Sequence, residues 1–136
     1  MSSARFQFDL EVVIGDDQPV ELIFYDEDAD GVKTPEDLDD RNWFYTAKSS
    51  HTDADADAVI ALNPADILVD ADGNATLNPT NVKNRLTFIL PHADTALLTA
   101  RNYGQDLQSV EKVGGLVFTK GVGTLTAVKD YTDRTA

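Results

Sequence analysis

The sequence predicts an all-β protein, an Ig-like antiparallel β-sandwich of about seven to eight short strands with one short helix. Three observations predict it. Several runs alternate apolar and polar residues with period two, which is the mark of a half-buried strand. Gly, Pro, Asn and Asp clusters punctuate the chain at intervals of about ten residues, the spacing of strands in a sandwich. Only one stretch has a helical pattern, whereas an α/β fold needs long crossover helices. At 136 residues the chain reads as one domain, large enough to bury about two-thirds of its unfolded surface.

The elements follow in order. FQFDLEVVI, from Phe6 to Ile14, puts Phe6, Phe8, Leu10, Val12 and Ile14 on one face and is the clearest strand. Gly15-Asp16-Asp17 marks a turn, Pro19 opens the next strand, and VELIFY repeats the alternation through Val20, Leu22 and Phe24. These two runs are expected to be antiparallel neighbours. WFYTAK, from Trp43 to Lys48, is an aromatic strand in which Tyr45 shares a face with Trp43 and Phe44 points the other way. HTDADAD, from His51 to Asp57, reads as an exposed loop before a short strand AVIAL, from Ala58 to Leu62.

Residues 63–84 carry two prolines and a DADGN turn signal, with a short strand near Ile67 to Val69. RLTFIL, from Arg85 to Leu90, alternates again. PHADTALLTAR then changes pattern: Asp94 is the expected N-cap of a helix running to Ala100. YGQDLQSVE, LVFTKG and TLTAVKDYT close the chain as a three-strand meander, with turns at Val113-Gly114-Gly115 and between Gly121 and Gly123. Val13, Ile23 and Ile89 break the polar faces of their strands. Grouped on one exposed patch, they would mark an interface.

Composition narrows the function. Eleven basic against 24 acidic residues give a formal charge of -13, which disfavours nucleic acid and anionic membranes, because phosphate binding needs clustered Lys and Arg. Fourteen of the 24 acids fall in residues 26–40 and 53–72, where self-repulsion costs least and solubility gains most. There are no cysteines, so disulfides, thiolate metal sites and cysteine nucleophiles are excluded. No apolar run approaches the roughly 20 residues of a membrane span, and MSSARFQFDL lacks the apolar core of a secretory signal. The expectation is a protein that stays where it is made.

One motif tests this picture. In YDEDADGVKTPED, Asp26, Asp28 and Asp30 precede Gly31 as in an EF-hand loop, and Asp37 falls at its last ligand position. The flanks read as strand rather than helix, Lys33 replaces the usual apolar eighth residue, and Pro35 and Asp37 stand at the tenth and twelfth positions. Asp70-Ala71-Asp72-Gly73 repeats the kernel without further ligands, which marks it as turn punctuation. Ser50 and His51 would face opposite sides of a strand, His92 stands apart from any candidate serine, and no H-x-x-x-H pair or nucleotide-binding glycine motif is present. No catalytic, cofactor-binding or metal residue is assigned, and the protein is expected not to be an enzyme.

The order of the turn marks points to a family. The Gly15-Asp16-Asp17 turn before a strand, Asp28 to Gly31 with Pro35 and Asp37-Leu38 downstream, and Thr95 with Leu98 together resemble phage tail and baseplate proteins. Tyr103-Gly104-Gln105-Asp106-Leu107 is similar to their Y-x-x-D-[LV] strand, and Gly121 followed by VKDYTDR resembles their G…V…D-V-T-R ending. The layout resembles the N-terminal Ig-like domain of the phage baseplate upper protein family across nearly the whole chain. That resemblance implies a virion structural protein without catalytic residues, made in the bacterial host cytoplasm. It implies an adaptor of tail, baseplate or neck that joins other virion proteins as a homo-oligomer. Two alternatives stand beside it: a capsid decoration protein, and a calcium-dependent binding module using Asp26, Asp28, Asp30 and Asp37.

Overall fold

The computed structural model, which describes residues 6–50, 52–54 and 57–129, turns the alternating runs into strands that close on each other as two sheets. In chain order these are β1 (Phe6–Gln7), β2 (Leu10–Val13), β3 (Gln18–Ile23), β4 (Tyr25–Glu27), β5 (Lys33–Pro35), β6 (Arg41–Lys48), β7 (Ile60–Leu62), β8 (Leu68–Asp70), β9 (Arg85–Leu90), β10 (Asn102–Glu111) and β11 (Val117–Val128). A 3-10 turn, Pro64–Asp66, precedes β8, and one helical turn, α1 (His92–Thr95), follows β9.

The larger sheet runs β1-β11-β10-β6-β7, with β2 continuing β1 along the outer side of β11. The smaller runs β3-β9-β8, and β4 with β5 forms a separate hairpin. With β1 and β2 counted as one interrupted strand and the hairpin set aside, eight strands make an Ig-like sandwich.

Alternation decides what the sandwich encloses. Trp43, Tyr45 and Ala47 of β6, Leu107 of β10 and Leu125 and Ala127 of β11 face Val20, Leu86, Phe88 and Leu90 of the smaller sheet in one buried cluster. Phe44 is half-buried on the opposite face, as the period predicts. The Tyr45 and Phe88 rings lie 5.1 Å apart, and those of Phe24 and Trp43 5.6 Å, so aromatic pairs join the layers. Each such buried side chain contributes about 1.5–3 kcal/mol.

Two polar contacts carry Ig-like signatures. The Tyr103 hydroxyl accepts the Thr99 N–H at 3.0 Å, tying the start of β10 to the corner before it as a tyrosine corner. Two residues on, where antibody domains place a disulfide cysteine, stands Gln105. Its side chain accepts the Tyr45 hydroxyl at 2.6 Å and donates to the Phe8 carbonyl at 3.0 Å. Hydrogen bonds therefore join strands at a position that a disulfide occupies elsewhere. Burial, with Asp106 adding repulsion, pushes the Tyr45 phenol well above its ordinary value, so it remains a neutral donor.

The structure corrects four expectations. The N-terminal run does not pair with VELIFY; β1 and β2 pair in parallel with β11, and the Gly15-Asp16-Asp17 turn carries the chain across to the other sheet. The predicted apolar face nevertheless survives, with Phe8 and Val12 buried and Phe6, Leu10 and Ile14 packed beside them.

The closing meander has two strands rather than three. Gly121 and Gly123 are not a turn but lie within β11, where Phe8 packs against them. The helix is a single turn that begins at His92, with Pro91 rather than Asp94 as N-cap. The Asp17 carboxylate supplies the missing cap, accepting the His92 N–H at 2.6 Å. Thr95 at the end of the turn and Leu98 beyond it are buried, and Leu97 is 77% exposed. Last, AVIAL shortens to Ile60–Leu62, and the strand near Ile67 moves one residue on to Leu68–Asp70. The predicted strand residues beyond Lys129, together with His51, Asp55 and Ala56 of the acidic loop, lie outside the described residues.

Gly123 gives the fold a direct test. A Cβ there would overlap the Phe8 carbonyl, a backbone atom that cannot swing aside. Gly123→Ala should lower unfolding stability by about 3 kcal/mol in urea titrations; wild-type stability would show that the N-terminal strand does not need this close approach.

Candidate interaction surface

The predicted calcium residues occupy the β4–β5 hairpin and its exit, and two of them, Asp28 and Asp37, shape it through one carboxylate oxygen each. Asp28 accepts the backbone N–H groups of Asp30 and Val32 at 2.9 and 3.0 Å, and Gly31 takes a positive φ of 80° to close the turn. Asp26 sits in β4 opposite Thr34. Asp37, beyond β5, accepts the Asp39 N–H at 3.1 Å. Among the described residues no group of three or more His, Cys, Asp or Glu side chains is placed to hold a metal ion.

The second kernel behaves alike. Asp72 accepts the Asn74 N–H at 2.8 Å, and Asp70 grips Arg85 through both oxygens at 2.6 and 3.0 Å. Asp53 accepts the Ser50 N–H at 3.2 Å. His92 is exposed, with its Nδ1 3.0 Å from the Asp17 carboxylate and no serine in that contact.

One charged cluster is buried, and sequence reasoning did not find it. Glu36, just after β5, meets Arg41 at 2.9 Å and Lys120 at 3.6 Å, with all three side chains at most 6% exposed. Arg41 also lies over the Trp43 ring, 5.1 Å from its centroid. Lys120 lies at the bulge where the β10–β11 register slips, between Thr119 opposite Gln108 and Gly121 opposite Leu107, and its side chain is buried there. The cluster pins the hairpin to the larger sheet. With its members paired to one another, it is a clamp.

What remains for recognition is apolar surface. The smaller sheet alternates so that Val20, Leu86, Phe88 and Leu90 point inward, and its outer face therefore carries Pro19, Ile23, Leu68 and Ile89. Ile23, Leu68 and Ile89 are 44%, 65% and 54% exposed. Ile23 and Ile89 are thus brought to one face, while Val13 lies half-buried in β2 opposite Val128 of the other sheet.

A groove of about 630 Å³ opens along this side, lined by Pro19, Leu62, Leu68, Ile89 and Pro91 with Glu21 and Asp66 as its charges. No basic residue lines it among the described residues. Leu68 was not picked out from the sequence because its exposure depends on which strand pairs beside it. A second apolar feature, the tip of the β10–β11 hairpin, shows Val113, Leu116 and Val117 to solvent.

No protein-family model matches the chain, and no curated protein matches it. No helix among the described residues is long and apolar enough to cross a membrane.

Two carboxylates give a pH test. Asp17 is held below its ordinary value of 3.8 chiefly by the His92 backbone N–H, and Asp70 chiefly by its hydrogen bonds to Arg85. The folded state thus binds these protons less readily than the unfolded chain. Their stabilisation is present above 3.8 and is lost as pH falls through the lower folded values. Asp70→Asn should reduce stability at neutral pH and flatten its acid-side loss, read by thermal melts across acidic buffers; an unchanged slope would remove the pair from the balance. Millimolar calcium should leave the melting temperature where magnesium leaves it, since a ligand specific to the native state would raise it by mass action.

Proposed function

We propose that this protein is a non-enzymatic bacteriophage virion structural protein, an adaptor of tail, baseplate or neck that joins other virion proteins and works in several copies. The observation that carries the reading is the exposed pair Leu68 and Ile89 with Pro19 at one end of the outer face of the β3-β9-β8 sheet, beside the Glu21–Arg85–Asp70 ion pairs. A sheet face in water normally turns polar residues outward, and grouped apolar side chains there mark a surface kept for another protein. The ordered turn marks that resemble the phage baseplate upper protein domain supply the setting. The net charge of -13 supports it too, since self-repulsion keeps free copies apart until apolar contacts form on assembly.

The adaptor holds its partners through surface rather than chemistry. Ile23 and Ile89 would be desolvated against a neighbouring virion protein, and burying each fully is worth about 1.5–3 kcal/mol before ordering costs. Rigidity comes from the sandwich behind them, whose aromatic pairs fix the sheet that presents them.

The test is the particle itself. Mass spectrometry should detect the protein in purified virions, and labelled antibody should mark the tail, baseplate or neck. Ile89→Asp, at a half-exposed strand position, should cost about 1 kcal/mol of stability yet lower incorporation severalfold, while Ile89→Thr, which keeps the strand preference, should lower incorporation with little loss of stability. Absence from particles would overturn the reading, and label spread over the head would move the protein to capsid decoration.

A further inference from the structure

We propose that the groove beside β9 receives an extended segment of a partner protein, alternately apolar and basic, which adds a short strand to the smaller sheet at Ile89. The inference deepens the adaptor reading and rests on it only for the partner's setting in the particle.

The ladder geometry shows why a strand fits. β9 pairs with β3 along its whole length, from Arg85 to Leu90, but with β8 only from Arg85 to Thr87. Phe24 donates its N–H to the Asn84 carbonyl, and antiparallel bonding alternates from there, so Leu86, Phe88 and Leu90 exchange hydrogen bonds with β3. Ile89 faces Pro19, which has no N–H, and its own N–H and carbonyl point to the β8 side.

There the neighbouring strand has stopped. Continuing the β8 register would bring Asp66 opposite Ile89, but Asp66 donates its N–H to Asn63 within the 3-10 turn and has left the sheet. The turn is locked by a capping box and by Pro64, so β8 cannot extend to fill the gap. One strand position of the sheet is thus left open, with a backbone donor and acceptor facing it.

The walls choose the occupant. Leu62, Leu68 and Ile89 offer apolar contacts to alternate side chains of an incoming strand. Glu21 and Asp66 are the groove's charges. Glu21 lies 3.7 Å from Arg85, yet 53% of its side chain remains exposed to an arriving cation. An acidic segment would meet these carboxylates and a chain of net charge -13, so a basic and apolar segment is favoured. A second copy of this chain is disfavoured by the same charge.

The probe is a short capped peptide of alternating valine and lysine, titrated into the full-length ¹⁵N-labelled protein. Saturation should shift the amides of Leu68, Thr87 and Ile89 and slow exchange of the Ile89 amide about tenfold. Leu68→Ser, with its amide spectrum otherwise intact, should weaken binding about tenfold. Two N-methylated versions of the peptide, each blocking one strand edge, should differ, one binding and the other not. An unprotected Ile89 amide, equal binding by both N-methylated versions, or equal binding by a peptide with glutamate for lysine would overturn the proposal. A protein found in virions that ignores the peptide would sink strand addition alone, whereas a peptide-binding protein absent from virions would sink the adaptor reading alone.

Discussion

The fold turns on the crossing of the Phe8 carbonyl over Gly123. The N-terminal segment is an edge element, held in parallel to β11 through two short stretches on either side of residues 8 and 9. Between them the backbone comes so close to β11 that no side chain fits at residue 123. Gln105 sits opposite Gly123 in the ladder and donates into the same carbonyl, so the close approach is also satisfied by a hydrogen bond. Through Tyr45 the same side chain reaches β6, whose aromatic residues support the smaller sheet. One glycine and one amide thereby couple the first strand, the central strands and the opposite layer.

Charge is divided between two jobs. Several of the acids shape loops: Asp28, Asp37, Asp53 and Asp72 each accept backbone N–H groups in their own turns. A carboxylate that closes a turn and one that binds a cation call for the same residue beside the same glycine, so D-x-D-G spacing by itself does not separate the two uses. Glu36 is different. Buried between Arg41 and Lys120, it loses hydration, and such clusters serve position more than stability, since apolar replacements of similar volume are often as stable. Here the position specified is that of the hairpin over the end of the larger sheet. The inward turn of Lys120 at the bulge is what makes the cluster possible.

The strands read from local pattern were those whose burial repeats within the strand itself. Trp43 and Tyr45 inward with Phe44 outward, the Phe6 to Ile14 face, and the whole of Arg85 to Leu90 follow from period two alone. Partner choice did not follow, because β1 and β2 could satisfy the same alternation against either β3 or β11, and the deciding fact is a glycine more than a hundred residues away. Gly121 and Gly123 misled for the same reason: locally they are turn residues, and only the approach of Phe8 makes them strand residues. Lys120, Glu36 and Arg41 were invisible as a group because a bulge in one hairpin brings Lys120 to a pair about eighty residues earlier in the chain. Leu68 looked like any residue of a short strand, because its exposure follows from where β8 begins, and the Asn63-Pro64-Ala65-Asp66 cap that sets this beginning reads in sequence only as a turn.

That beginning is itself a consequence of local chemistry. Asn63, Pro64 and Asp66 form a capped 3-10 turn whose hydrogen bonds are complete without the sheet, so the backbone before Leu68 gains nothing by pairing with β9. β9 is left with a longer partner on one side than on the other, and an unequal sheet must expose backbone groups on its short side. Proteins commonly blunt such edges with charge or proline, and β3 does so with Pro19, whose carbonyl also accepts the Gln18 side chain at 2.8 Å. The gap beside β9 carries charge as well, from Glu21 and Asp66, but both are acidic, and Leu62 and Leu68 flank it. Pro19 removes one donor from the outer edge of β3, whereas Ile89 keeps both its N–H and its carbonyl on the β8 side, so the proposed partner strand has a complete pair of backbone groups to meet there.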